Sequence, residues 1–181
     1  MALKLFVGLG NPGTKFKKTR HNVGFLCIDE FLLEISKHVL DPNFEFSKKY
    51  NSDIFVSDNF IFAKPQTFMN ASGDSVSSLA TFYKIQPTDI FIIHDDLDIA
   101  LGEYKIQKGK GPKDHNGLNS IYEKLGTKDF WHVRIGINNQ ESRINNQGSK
   151  ILGEEYVLMK FTDDEMKSLN SIFPKIQSDW V

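Results

Sequence analysis

The sequence predicts an α/β fold, in which helices cover both faces of one sheet. Short apolar runs alternate with amphipathic segments along the chain, and no repeat, low-complexity tract or linker divides its 181 residues. Strands that alternate with helices favour a sheet covered on both faces. A chain of this length is most simply one domain, residues 1–181, and is large enough to bury a substantial core.

The first third of the chain predicts a strand, a helix and a hairpin. Leu3–Leu9 is a short apolar run ended by a glycine, which is typical of a buried strand. Residues 23–39 predict an amphipathic helix, because apolar side chains recur at helical spacing at Phe25, Ile28, Leu32, Ile35 and Val39. The segment DIFVSDNFIFAKP predicts two strands that turn near Asp58 and Asn59.

The middle of the chain predicts two helices and two strands. A helix is expected from about Asn70 to Lys84, and DIFIIH (89–94) is a fully apolar strand that ends in acidic residues. EYKIQK (103–108) predicts a further strand. HNGLNSIYEKLG predicts a helix that Gly126 ends, because glycine readily adopts the left-handed conformation found at helix C-termini.

The last part of the chain predicts one strand and one helix. FWHVRIGI (130–137) is the strand. Thr162 and Glu165 have the spacing of a capping box and so mark the start of the helix. Pro174 should end or kink this helix, because proline removes a backbone hydrogen bond.

Composition indicates an ordinary cytoplasmic protein. Charged residues make up 25% of the chain, the formal net charge is −1, and Cys27 is the single cysteine. One cysteine cannot build a disulfide framework, which is typical of a reducing compartment. The N-terminus lacks the pattern of a cleavable signal, and no apolar stretch approaches the ~20 residues of a membrane helix. We therefore predict a cytoplasmic location and no membrane partner.

The opening VGLGNPG has glycines at the spacing of a dinucleotide-binding loop, at Gly8, Gly10 and Gly13. In such a site a helix starts at the second glycine and an acidic residue at the end of the next strand binds the ribose. Here a polar, basic stretch follows instead, and Asp29 lies inside a predicted helix. Binding of NAD or FAD is therefore the weaker alternative, and we predict no cofactor.

Polar side chains follow three of the predicted strands. Gly10 and Asn11 follow the first strand, residues 65–70 follow FIFA, and Asp95 follows FIIH. Functional groups of α/β folds gather beyond the carboxyl ends of the strands, so one pocket could hold all three segments.

Histidine and aspartate are the chemical candidates within that pocket. His21 is suited to accept and return a proton near neutral pH, and Asp95 could fix its tautomer and raise its basicity. HDDLD could alternatively hold Mg²⁺ through Asp96 and Asp98, although no second carboxylate cluster has a sensible ligand spacing. We predict no metal. Cys27 lies in an apolar helix, where a buried structural thiol is the default interpretation.

Two lysine-rich segments flank these candidates. KFKKTRH (15–21) and KIQKGKGPK (105–113) concentrate positive charge, although the net charge is close to zero. A solvated loop is the ordinary interpretation of each run taken singly. Two such runs beside catalytic candidates favour an anionic substrate.

Four blocks taken together resemble bacterial-type peptidyl-tRNA hydrolase: VGLGNPG with TRHNVGF, KPQTFMNASG, HDDLD, and HNGLNSI followed by RIGI. The resemblance runs in order from Leu5 to about Phe161. It implies a single-domain, usually monomeric α/β enzyme with a mixed, mostly parallel central sheet. It also implies hydrolysis of the ester between peptide and tRNA without metal or cofactor, which recycles tRNA released by stalled ribosomes.

The resemblance also implies roles for individual residues. His21 matches the catalytic base and Asp95 its paired carboxylate. Three asparagines match amides that position substrate and water: Asn11, Asn70 and Asn116. Met69 matches an apolar wall beside Asn70, and His115 matches a histidine near the substrate entrance. Lys105 and Arg134 match positions that bind tRNA phosphate, and a structural ion pair is the alternative for Arg134.

The sequence departs from the family pattern in three places. Phe16 stands beside the substrate where tyrosine is usual, so a hydroxyl contact is missing. The usually glycine-rich loop before HNG contains Pro112 and Asp114, which should stiffen it, and extra lysines. The chain ends at Val181, early for the family, which leaves tRNA contacts from that end open. A non-catalytic RNA-binding protein is the other alternative, but it leaves His21 and Asp95 without a purpose.

Overall fold

The computed structural model describes residues 2–38, 42–145 and 147–179. Its centre is one seven-stranded sheet in the order β2-β3-β4-β1-β5-β7-β6. The strands are β1 (Lys4–Gly8), β2 (Glu45–Ser47), β3 (Ser52–Val56), β4 (Phe60–Pro65), β5 (Ile90–Ala100), β6 (Tyr104–Lys108) and β7 (Trp131–Asn138). The α-helices are α1 (Val23–Ile35), α2 (Ser72–Tyr83), α3 (Asn116–Leu125), α4 (Gly153–Leu158) and α5 (Asp163–Ser178).

The four central strands are parallel, and antiparallel strands flank them. β1 pairs with β4 and β5, and β5 pairs with β7, all in parallel. β2, β3 and β6 join in antiparallel orientation. The predicted mixed, mostly parallel sheet is confirmed. The carboxyl ends of β1, β4 and β5 therefore lie at the same edge, as the grouping of polar segments required.

Helices cover both faces of the sheet, as predicted. Side chains of β1 alternate, so that Phe6 joins the core under α1 and α5 whereas Leu5 and Val7 join the core under α2 and α3. Cys27 is fully buried in the first of these cores. None of the helices in the described ranges is long and apolar enough to cross a membrane.

Two elements differ from the predicted boundaries. β5 does not stop before the acidic residues but runs on through Asp95 and Asp96, because buried partners satisfy both carboxylates. α5 continues past Pro174 to Ser178, so Pro174 does not end the helix, and the alternative of a kink stays a prediction. Pro174 is exposed, and Phe173 and Ile176 on either side are buried in the core. Water can therefore bond the carbonyl that proline leaves free, while the core holds the last turn.

Other boundaries are close to those predicted. The hairpin turns between β3 and β4, and Gly126 ends α3 in the left-handed conformation. α1 ends at Ile35, and Val39 lies outside the described residues. The segments β2 and α4 were not predicted, because three to six residues are too short to show a period.

Candidate active site

The glycine-rich loop after β1 makes room for α1 and does not open a helix. A Cβ at Gly8 would collide with the backbone of α1, and one at Gly10 would lie 2.7 Å from the Phe25 ring. Short 3₁₀ turns follow the loop, and α1 begins at Val23. The N-terminus of α1 is therefore far along the chain from the second glycine, and the dinucleotide alternative fails on geometry.

Asn11 in this loop is held from several sides. Its backbone N–H donates to Asn22 Oδ1 (2.9 Å), and Asn22 Nδ2 donates to its carbonyl (2.9 Å). Its own Oδ1 accepts from the backbone N–H of Met69 (2.8 Å). These contacts fix the orientation of the amide and leave Nδ2 without a partner among the described residues. The buried Asn11 side chain therefore presents free N–H donors.

A buried ion pair fixes the turn that carries His21. Arg20, immediately before it, is 1% exposed and donates Nη2 to both carboxylate oxygens of Glu165 at 2.9 and 2.8 Å. Its guanidinium also lies 4.2 Å from the centre of the Tyr156 ring. The predicted capping box is confirmed, but Glu165 does more than cap α5. It fastens that helix to the His21 turn.

Asp95 lies between two histidines. His21 Nδ1 is 2.8 Å and His115 Nε2 is 3.0 Å from the same carboxylate oxygen, Oδ1. All three residues are less than 10% exposed, and the two imidazole centroids are 4.9 Å apart. The structure therefore brings together three of the predicted site residues from the loop after β1, from β5 and from the start of α3.

The hydrogen bonds define which nitrogens carry protons. A carboxylate only accepts, so His21 Nδ1 and His115 Nε2 both donate to Asp95. His115 Nδ1 accepts from the backbone N–H of Leu118 (3.4 Å) and caps α3, which agrees with this tautomer. In neutral His21 the remaining nitrogen, Nε2, is then an acceptor. It is available to take a proton from a substrate or from water.

Electrostatics favour this arrangement. Burial alone lowers the pKa of His21, but the charge of Asp95 and its hydrogen bond outweigh burial and raise that pKa above 6.5. Burial acts to raise the pKa of Asp95, yet the two histidines hold it well below its usual range. Asp95 stays ionised at neutral pH, and His21 is a stronger base than a free imidazole.

Met69 links the loop after β1 to the start of α3. It is 4% exposed, and its Sδ would contact any Cβ placed at Gly117, while His115 Cε1 would lie 3.3 Å from that Cβ. Met69 is thus bonded to Asn11 through its backbone and packed against the start of α3 through its side chain. The three polar segments are therefore linked through Asn11, Met69, His115 and Asp95.

Two predicted amides lie at the rim rather than inside. Asn70 follows Met69, Asn116 follows His115, and both side chains are exposed. Neither makes a side-chain hydrogen bond to a described residue, so both are available to a ligand. Their role in binding substrate stays a prediction.

The cluster also contains a possible metal donor set. One ligand atom each from His21, Asp95 and His115 lie within 4.8 Å of one another. Asp95 Oδ1 already accepts hydrogen bonds from the other two atoms. A metal bound to His115 Nε2 would also move the ring proton to Nδ1, which could then no longer accept from Leu118 and cap α3. Asp96 of the alternative Mg²⁺ site accepts from Arg134 Nε at 2.8 Å and from the backbone N–H of Asp98 at 2.8 Å. Hydrogen bonds from protein groups therefore already satisfy the carboxylates of Asp95 and Asp96, which disfavours a metal at either.

Comparison with known proteins decides the family. The sequence matches the peptidyl-tRNA hydrolase family model over residues 5–180. It is 42% identical over 174 residues to a peptidyl-tRNA hydrolase of Mycoplasmopsis agalactiae, covering 96% of this chain and 85% of the relative. A relative from Lawsonia intracellularis is 39% identical over 181 residues, covering 97% and 85%. The chain belongs to the peptidyl-tRNA hydrolase family.

Solved structures of peptidyl-tRNA hydrolase agree in fold. The enzyme from Acinetobacter baumannii superposes with a TM-score of 0.82 at 30% identity, covering 97% of this chain and 85% of that one. Its Arg119Gln mutant gives a TM-score of 0.84. The resemblance stated from the four sequence blocks is confirmed.

The two cations predicted to contact tRNA phosphate lie in different environments. Lys105 on β6 is exposed, and its neighbour across the strand pair is Arg134 on β7. Arg134 is 7% exposed and bonds both Asp96 and Gln107, at 2.8 and 2.7 Å. The structural ion pair considered for Arg134 is therefore present, and its contact with phosphate stays a prediction.

One exposed aromatic side chain, next to Met69 in the chain, escaped the sequence analysis. Phe68 is 56% exposed and has a positive φ of 33°, a conformation that is strained for a bulky residue. Its ring lies edge-on to that of Phe16, with centroids 6.4 Å apart. Strained residues cluster at functional sites, so Phe68 is a candidate for contact with substrate, but neither strain nor exposure has a sequence period that could reveal it.

Proposed function

We propose that this chain hydrolyses the ester between peptide and tRNA in peptidyl-tRNA, with His21 as the general base. The observation that carries the proposal is the shared carboxylate oxygen. Asp95 accepts from Nδ1 of His21 and from Nε2 of His115, so the only unprotonated nitrogen of His21 is Nε2. A buried base with a raised pKa and one available lone pair is suited to activate water.

The reaction needs a proton acceptor and donors for the oxyanion. His21 Nε2 removes a proton from water as the oxygen attacks the ester carbonyl. The free Nδ2 donors of Asn11 stabilise the tetrahedral oxyanion, because that amide is held in place before substrate arrives. The carbon–oxygen bond to the ribose then breaks, and the His21 imidazolium returns its proton to the departing ribose oxygen. Asp95 stabilises the imidazolium throughout.

The rim residues suit the two ends of this substrate. Asn70 and Asn116 offer exposed amides to the polar groups of a peptide or ribose. The exposed Phe68 ring, with Phe16 beside it, offers a surface on which a terminal base could stack. The exposed Lys105 is available to phosphate. We also propose that the protein acts as a monomer, since every side chain of the proposed chemistry comes from a single chain. We further propose that it acts in the cytoplasm.

Incubation with N-acetyl-aminoacyl-tRNA, without added metal, tests the proposal. We expect release of the N-acetyl-amino acid and intact tRNA at a rate that rises with pH through the pKa of His21. Binding of tRNA without ester cleavage would contradict the proposal and favour the RNA-binding alternative.

A further inference from the structure

Two further histidines lie behind the catalytic carboxylate, one on β5 and one on β7. His94 and His132 are both fully buried. His94 Nδ1 lies 3.0 Å from the carbonyl oxygen of Asp95, and His94 Nε2 lies 3.3 Å from His132 Nδ1. The His94 ring also contacts the His115 ring edge-on, with centroids 5.3 Å apart. The histidine pair is therefore joined to the site but takes no part in the chemistry described above.

The carbonyl of Asp95 needs this partner because the sheet provides none. The carbonyl of Ile93 accepts from the backbone N–H of Leu9, just past the end of β1. The Asp95 carbonyl, two residues further along the strand, points to the same side. Asn11, two residues beyond Leu9, donates its backbone N–H to Asn22 Oδ1 instead, so this segment does not supply a donor to the Asp95 carbonyl. His94 supplies the missing donor.

The hydrogen bonds of the pair have one direction. A carbonyl only accepts, so His94 Nδ1 carries a proton and, in the neutral ring, Nε2 accepts. His132 Nδ1 must then be the donor to His94 Nε2. His132 Nε2 is left as a buried acceptor, and it has no partner among the described residues. The two bonds form a row of hydrogen bonds: His132 Nδ1–H donates to His94 Nε2, and His94 Nδ1–H donates to the Asp95 carbonyl.

The surroundings keep both rings neutral. Burial, together with the nearby His115 and His132, holds the pKa of His94 well below its usual range, although Asp95 acts in the opposite direction. Burial and the charge of Arg134 lower the pKa of His132 to about 4, with a smaller contribution from His115. The donors and acceptors in this row of hydrogen bonds therefore stay the same over the pH range in which His21 titrates.

Packing confines the outer ring of the row. The Phe130 ring stacks on His132 with centroids 4.6 Å apart. Gly111, in the lysine-rich segment 105–113, also lies against this ring: a Cβ added there would be 2.9 Å from His132 Nδ1 and 2.9 Å from the Tyr122 hydroxyl. The backbone of the lysine-rich loop thus rests directly on His132. The ring has little freedom to turn away from His94.

We propose that His94 and His132 are positioning residues for ester hydrolysis, which hold the main chain at Asp95 and thereby the carboxylate shared by His21 and His115. The proposal rests on the roles given to His21 and Asp95 under Proposed function. If the carbonyl is released, the carboxylate shifts relative to His21. Turnover then falls and the pKa of His21 moves towards its ordinary value, while substrate binding at the rim is retained.

A matched pair of variants tests this. In His132→Asn the amide N–H₂ can occupy the place of Nδ1 and still donate to His94, whereas in His132→Gln the amide reaches the place of Nε2. We expect kcat of H132Q to fall roughly 10-fold, because His94 then has no buried donor to hold it. We expect kcat of H132N to stay within about threefold of wild type, and KM of both within about twofold. The acidic limb of the pH–rate profile should move to lower pH in H132Q alone.

Equal turnover in the two variants, or an effect confined to KM, would overturn the proposal. A test that needs no variant is ¹⁵N NMR of the histidine rings in the wild-type protein. We expect Nδ1–H tautomers for both His94 and His132 from about pH 5.5 to 8, and an Nε2–H tautomer at either ring would also overturn it. Failure of the wild-type protein to cleave N-acetyl-aminoacyl-tRNA would instead overturn the proposed function, so the two failures are distinguishable.

Discussion

The cluster around Asp95 and the lysine-bearing edge at β6 belong to the same sheet but use charge in opposite ways. In the cluster, Asp95, His21 and His115 are nearly inaccessible to solvent and are bonded to one another. At the edge, Lys105 is exposed and makes no ion pair with a described residue. Buried charges interact strongly and depend on geometry, whereas exposed charges act at longer range and are screened by salt. The chemistry of ester cleavage and the attraction of tRNA should therefore be separable.

Replacing His21 by alanine should have the largest effect, because it removes the base itself. We expect His21→Ala to lower kcat for N-acetyl-aminoacyl-tRNA roughly 10²–10⁴-fold, with tRNA affinity nearly unchanged. Rates can be compared with those of His38→Ala, which changes an exposed histidine outside the cluster. Retention of more than about a tenth of the wild-type rate would remove His21 from the role of general base.

Weakening the ion pair that fixes the His21 turn should mainly lower stability. Glu165 accepts hydrogen bonds from Arg20, Asn139, Ser142 and Thr162. Glu165→Gln leaves Arg20 buried without its counter-charge, so we expect a decrease of about 3 kcal/mol in the free energy of unfolding. Urea denaturation of this variant should be compared with that of Asp164→Asn, which removes an exposed carboxylate paired with Lys167.

The same ion pair gives stability a pH dependence. Burial raises the pKa of Glu165, but the Thr162 N–H, Ser142 and Arg20 outweigh it and lower that pKa below 4.5. A depressed pKa stabilises the fold above the unfolded-state pKa, and this contribution is lost as pH falls through the folded value. The stability difference between wild type and E165Q should therefore shrink below about pH 4.5. A difference that stays constant down to about pH 3 would show that charge at Glu165 is not responsible.

Changing the lysine-bearing edge should have the smallest effect. Lys105, Lys110 and Lys113 are all exposed. We expect their combined replacement by alanine to raise KM for the tRNA substrate several-fold. The slope of log KM against log salt concentration should also become smaller, by roughly 0.7–0.9 for each phosphate that the variant no longer binds. Cleavage of a short N-blocked aminoacyl-nucleotide ester should be nearly unchanged.

A control variant with the same change in charge is Lys37→Ala, Lys167→Ala and Lys175→Ala, located after α1 and on α5. It should leave both KM and the salt dependence close to wild type. Equal decreases in activity on the tRNA substrate and on the short ester in the β6-edge variant would show that these lysines support the fold or the chemistry. The comparison between the two regions would then be wrong.

The sequence predicted what local patterns determine. Apolar periods indicated the central strands and the helices, and strand ends placed Asn11, Met69 and Asp95 in one pocket before any contact was known. Contacts between distant residues have no local period. The sequence did name Asp95 as a partner for His21, 74 residues away, but the bond from Asp95 to His115 and those from Arg20 to Glu165, which span 145 residues, were not predicted. Such pairings follow from the packing of the sheet and helices, so the sequence could name His115 and Arg134 but not their partners.

The pH–rate profile of Asp95→Asn tests the central claim that Asp95 sets the basicity of His21. Both histidines donate to the same oxygen, so the amide oxygen of asparagine should take that place and keep their tautomers. The charge is removed, and a histidine without its carboxylate has a lower pKa. We expect kcat to fall less than in His21→Ala, and the acidic limb of kcat/KM against pH to lie at lower pH than in wild type, because Asp95 raises the pKa of His21. An acidic limb at the wild-type pH in Asp95→Asn would contradict the claim.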